Sequence, residues 1–176
     1  MFHIAPLNVA EVNVAEIIDA FEEVRLALSG TETDSHVLYF YAHGGSRDGK
    51  PYLKVVDDKE IHFIDFDAWK FKLGDQKPLV VLNACDSADY SMDEFENLIK
   101  FFCDAGAAGV VGTQCTINEL LADAFIVPFF DSFLHSTSAG ESMYKARESL
   151  LQKRDPRGLV YSLFAAADVK LAQSAL

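Results

Sequence analysis

Apolar residues along this chain fall into two patterns. The first is the short unbroken run: Val37-Leu38-Tyr39-Phe40, Leu79-Val80-Val81-Leu82 and, between two glycines, Val110-Val111. Runs without polar alternation predict parallel strands covered on both faces. The second pattern is helical spacing. Val14, Ile17, Ile18, Phe21 and Leu28 predict a helix from Ala10 to Ser29, stopped at Gly30. Phe95, Leu98, Ile99 and Phe102 predict another, opened by the capping box Ser91-Met92-Asp93-Glu94 and stopped at Gly106. A second capping box, Thr116-Ile117-Asn118-Glu119, opens a helix through about Leu134, which Pro128 should kink. A third, Ser138-Ala139-Gly140-Glu141, opens a helix through about Lys153.

The remaining segments are shorter. Phe2-His3-Ile4 reads as a strand end and His43 to Lys50 as a glycine-rich loop. Leu53, Val55, Ile61 and Phe63 around Asp57-Asp58-Lys59 predict a hairpin. Asp65 or Asp67 starts a short helix holding Trp69 and Phe71. Gly74 to Lys77 turns, and Pro78 opens the strand that ends at Asn83. Asp155-Pro156-Arg157-Gly158 turns into a last strand, Leu159 to Ala165. Strands alternating with helices predict an α/β fold with a mostly parallel sheet, helices on both faces and a β-hairpin insertion. One domain over residues 1–176 is expected, compatible with a domain cut from a longer chain.

Composition fits that picture. The chain has 176 residues, half of them hydrophobic, enough for a packed core and too apolar for disorder. Acidic residues outnumber basic ones 27 to 15, a net charge of -12, which disfavours nucleic acid as a partner. That balance favours a basic partner or substrate, although it often serves solubility alone. No apolar run approaches the roughly 18 residues of a membrane span, and no basic-then-apolar leader opens the chain. Neither membrane contact nor export is expected. Three cysteines, Cys85, Cys103 and Cys115, are an odd number without scaffold density and point to a reducing cytoplasm.

The candidate chemistry lies just past two of the apolar runs. His43 follows the first and Cys85 the second. Open α/β sheets place chemistry at the carboxyl ends of their strands. A thiol and an imidazole there are the minimum parts of a cysteine nucleophile with a general base. Cys85 stands about seven residues before the next helix, too far for the helix dipole to activate it, so an imidazole must. The Gly44 and Cys85 N–H groups can form an oxyanion hole, glycine letting the backbone approach a bound carbonyl. The plainer alternatives are a buried structural cysteine and a tight turn with an incidental histidine. His3, His36, His62 and His135 show no metal-ligand spacing with a cysteine, so no metal or cofactor is expected. Cys103 and Cys115 read as packing, Trp69 as core, and Arg47 and Lys50 as solvated loop charges.

His43-Gly44-Gly45 after a hydrophobic strand, a hairpin, then Val80-Val81-Leu82-Asn83-Ala84-Cys85-Asp86-Ser87 resembles the CHAT family. These are caspase-like cysteine peptidase domains, related to separase and more distantly to caspases. Ala105-Gly106-Ala107-Ala108-Gly109-Val110-Val111-Gly112-Thr113 resembles the family's Ala-Gly-Ala strand segment, although Gln114-Cys115 stands where a Leu-Trp pair is usual. The resemblance covers roughly residues 30–168. It implies a caspase-like sheet and a His43/Cys85 dyad that hydrolyses peptide bonds without a cofactor. Glu119 stands where separase-like relatives carry an acid for a basic P1 side chain, and it is also the last residue of a capping box. Asp86 and Asp123 are further acids near the expected site, and a carboxylate pairs well with arginine. The expected partners are a protein or peptide substrate and a regulatory helical-repeat or sensor protein. The competing reading is a catalytically silent caspase-like scaffold domain. A small-molecule α/β hydrolase ranks last, because no Gly-x-Ser-x-Gly elbow is present.

Overall fold

The computed structural model describes residues 2–3, 17–18, 32–33, 36–47, 50–54, 59–62, 65, 71–73, 75, 77–84 and 98–171. In chain order the first described strands are β1 (Phe2–His3), β2 (Ile17–Ile18), β3 (Glu32–Thr33), β4 (Val37–Tyr41) and β5 (His43–Arg47). They are followed by β6 (Lys50–Lys54), β7 (Glu60–His62), β8 (Lys72–Leu73), β9 (Leu79–Asn83), β10 (Gly109–Thr113) and β11 (Tyr161–Ala165). The described helices are α1 (Leu98–Asp104), α2 (Glu119–Phe133) and α3 (Ala139–Gln152).

The three unbroken apolar runs become the parallel centre of one sheet. β4 pairs with β9 from Val37↔Leu79 to Tyr41↔Asn83, and β9 with β10 from Leu79↔Gly109 to Val81↔Val111. β11 runs antiparallel to β10, giving the order β11-β10-β9-β4. Every residue of β9 and β10 is buried, which is why these strands carry no polar alternation. Successive side chains leave a strand on opposite faces. Leu38, Phe40, Val80, Leu82 and Val110 pack with Leu98, Ile99 and Phe102 of α1. Val37, Leu79, Val81 and Val111 pack with Phe125 and Phe129 of α2 and with Met143 and Ala146 of α3. Helices therefore cover both faces, and the fold is α/β and caspase-like. The described part of α1 takes its stability from packing rather than from helix propensity. Its three buried side chains, each contributing about 1.5–3 kcal/mol, hold it to the sheet.

Gly109 begins β10 opposite Ala165 of β11, and an ideal Cβ there would lie 2.2 Å from the Ala165 Cβ. Gly109→Ala should therefore splay the two strands at a cost of about 1–3 kcal/mol, read as a lower urea midpoint. An unchanged midpoint would mean that the pair relaxes freely.

Several expectations need correction. His43 to Arg47 is a strand, not a loop: β6 and β7 form the expected hairpin, and β5 pairs antiparallel with β6 to extend it to a three-stranded meander. Glycine weakens a strand by offering no side chain to pack, but here the Tyr52 ring of β6 lies over Gly45, where a Cβ would come within 2.5 Å of its Oη. Arg47 is not simply solvated. It pairs with Glu60 at 2.7 Å and lies 5.9 Å from the Tyr52 ring centroid. Asn118 is the N-cap of α2, its Oδ1 accepting the Leu121 N–H at 2.9 Å, so Glu119 is the first helical residue. α2 continues through Pro128 to Phe133. Ser138 does cap α3, accepting the Glu141 N–H at 3.3 Å. Leu159 and Val160 belong to a 3-10 turn over Pro156–Val160, capped by Asp155, and the last strand starts at Tyr161. Cys103 and Cys115 are exposed rather than packed. Within the stretch expected as the opening helix, Ile17–Ile18 pairs antiparallel with Phe2–His3, as two successive β-branched residues allow. The rest of that stretch, the Ser91 capping box and Trp69 lie outside the described residues.

Candidate active site

β4 and β9 end side by side. Tyr41 is in register with Asn83, and the Ala42 N–H donates to the Asn83 carbonyl at 3.4 Å. His43 follows Ala42 directly, so it stands at the carboxyl edge of the parallel strands, where β4 turns off into the meander. His43 is exposed, and Gly44 beside it is half-buried. Cys85, which follows Ala84 in the chain, lies outside the described residues, as does Asp86.

Below that edge a row of polar side chains crosses the sheet. Asn83 ends an otherwise apolar strand and is 2% exposed. A buried amide costs free energy unless its donors and acceptors are used. Here its Nδ2 donates to the Tyr39 Oη of β4 at 2.9 Å, and its Oδ1 accepts from the Tyr161 Oη of β11 at 2.6 Å. The Tyr161 ring stacks flat on Phe125 of α2, centroids 3.6 Å apart, and its carbonyl accepts from an Arg147 Nη of α3. Burial pushes the Tyr39 hydroxyl far above its ordinary range, so it stays neutral and remains a hydrogen-bonding partner. Beside the row, the Thr113 hydroxyl of β10 donates to the Ala84 carbonyl. Asn83 and Thr113 enter the sequence motifs only as members of strand segments, and nothing in the sequence pattern links them to Tyr39 or Tyr161. An asparagine closing a four-residue apolar run was the available signal.

Glu119 and Asp123 are both exposed, one helical turn apart on α2. Both act on Tyr41, two residues before His43. Its hydroxyl is raised first by burial, then by the charge of Glu119, then by that of Asp123. The two acids therefore stand near the end of β4. Among the described residues no group of three or more His, Cys, Asp or Glu side chains is arranged to hold a metal ion. No helix among them is long and apolar enough to cross a membrane.

A model of the CHAT domain family matches residues 7–168 of the chain. A curated protein of Vitiosangium sp. (strain GDMCC 1.1324), named a probable protease, is 37% identical over 150 residues. The alignment covers 80% of this chain and 20% of that protein, so the chain spans a fifth of the length of the curated relative it matches.

Proposed function

The chain belongs to the CHAT domain family, and we propose that it is a cysteine endopeptidase with a His43/Cys85 dyad. The observation that carries this reading is the shared edge. The strands leading to the two residues end in register, and each residue lies two positions past the pair Tyr41↔Asn83. The relative named a probable protease supports hydrolysis of peptide bonds.

The steps follow from the groups. His43 takes the Cys85 proton, and the thiolate attacks the scissile carbonyl carbon. The carbonyl oxygen becomes an oxyanion held by the Gly44 and Cys85 N–H groups. Collapse breaks the C–N bond, and His43 returns its proton to the leaving amine. Water then attacks the thioester, again with His43 as base, and frees the thiol. Glu119 and Asp123, with Asp86, favour a basic residue before the scissile bond. The chain acts in the cytoplasm under a helical-repeat or sensor partner.

The test is hydrolysis of fluorogenic peptides ending in Arg, Lys, Asp or Leu, by the wild-type chain and by Cys85→Ala. Cys85-dependent release of the fluorophore after Arg or Lys is the expected result. Release that survives Cys85→Ala would discard the cysteine mechanism.

A further inference from the structure

A side-chain hydrogen bond from Thr113 holds the Ala84 carbonyl at the end of β9. Among the described residues the β9–β10 ladder ends at Val81↔Val111. Two residues further on, the fully buried Thr113 reaches across with its side chain and donates to the Ala84 carbonyl. Thr113 is itself held by pairing with Tyr161 across β10 and β11.

The Ala84 carbonyl and the Cys85 N–H belong to one peptide unit. That unit is planar, and in its trans form the two groups point in opposite directions. The preceding Asn83 carbonyl points to β4, where it accepts from Ala42. The Ala84 carbonyl points the other way, to β10. In a trans unit the N–H opposes the carbonyl that shares its plane, so a carbonyl turned to β10 favours an N–H turned to β4.

We propose that Thr113 is a positioning residue that aims the Cys85 N–H at the oxyanion by holding the Ala84 carbonyl. The inference rests on the peptidase reading above. A hydroxyl is needed for it and bulk alone is not enough, so Thr113→Val should remove the effect while keeping the shape.

The experiment compares wild type, Thr113→Val and Thr113→Ser in three measurements on folded protein, with Tm read first. Thr113→Val should lower kcat about 10- to 100-fold with KM nearly unchanged, less than the loss of a whole oxyanion donor. Affinity for a peptide aldehyde, whose adduct with the thiol carries the same oxyanion, should fall by a similar factor. Alkylation of Cys85 by iodoacetamide forms no oxyanion and should change less than about two-fold. Thr113→Ser should restore all three. If Thr113→Val does not fold, Thr113→Ala is read in its place. Equal losses in turnover and alkylation would make Thr113 merely structural, and a Thr113→Val chain that turns over like wild type would overturn the inference alone. A wild-type chain without Cys85-dependent turnover would overturn the peptidase reading and this inference with it.

Discussion

Alanine at His43 or at Cys85 should lower peptide hydrolysis by at least about 10³-fold, and alanine at both should lower it little further. The magnitude comes from the chemistry. A thiol without its base is mostly protonated at neutral pH, and a base without its nucleophile has only water to activate. Two residues that act as one unit lose their joint contribution once, so the double variant tests the pairing more sharply than either single one. Labelling supplies a second readout. Cys103 is a useful internal control. It lies on the outer side of α1, yet partial shielding pushes its thiol up first, and Asp104 adds to this. Iodoacetamide should therefore modify Cys85 faster than Cys103, and His43→Ala should remove most of the difference. Additive losses in the double variant, or labelling indifferent to His43, would sink the dyad.

How far the sequence could be read depends on what each signal encodes. The runs at Val37, Leu79 and Val110 reported burial on both faces, and burial on both faces is what makes a central parallel strand. The three central strands, the helices that cover them and a last strand ending at Ala165 were legible for that reason. The first strand of the meander was not, because Gly44-Gly45 offers no side-chain pattern, and Tyr52, which covers Gly45, lies seven residues later. The cap of α2 was misplaced because Thr116 and Asn118 are both good caps, and only the chain's path out of β10 chooses between them. The polar row was missed for a related reason. Tyr39, Asn83, Thr113 and Tyr161 are up to 122 residues apart by number, and only the strand order brings them together. Periodicity reports what each residue faces. It does not report which distant residue faces it.

The chain should cleave after Arg with a preference on the order of 100-fold over a neutral isostere such as citrulline, and Glu119 and Asp123 should supply most of it. In the free chain both carboxylates are exposed, so neither begins as a buried unpaired charge. An exposed ion pair alone contributes at most about 1 kcal/mol, which is too little for such a preference. Three contributions together are enough. A guanidinium near Tyr41 would pair with each acid for about 1 kcal/mol. Lying over the Tyr41 ring would add about 0.5–1 kcal/mol. The sum, about 3 kcal/mol, corresponds to roughly 100-fold, since each 1.4 kcal/mol is tenfold. Tyr41 is the indicator that both charges reach this place, because its hydroxyl already responds to each of them. Glu119→Gln and Asp123→Asn should each reduce the Arg preference several-fold, and the double variant should nearly abolish it. Because the acids are exposed, the preference should also weaken between low salt and about 0.5 M salt, as screening shortens the reach of the charges. Labelling of Cys85 should stay unchanged in all three variants, which separates specificity from chemistry. An Arg preference that survives the double variant would move the pocket elsewhere, with Asp86 the next acid to replace. Cleavage after Asp would discard the acidic pocket and leave the dyad standing.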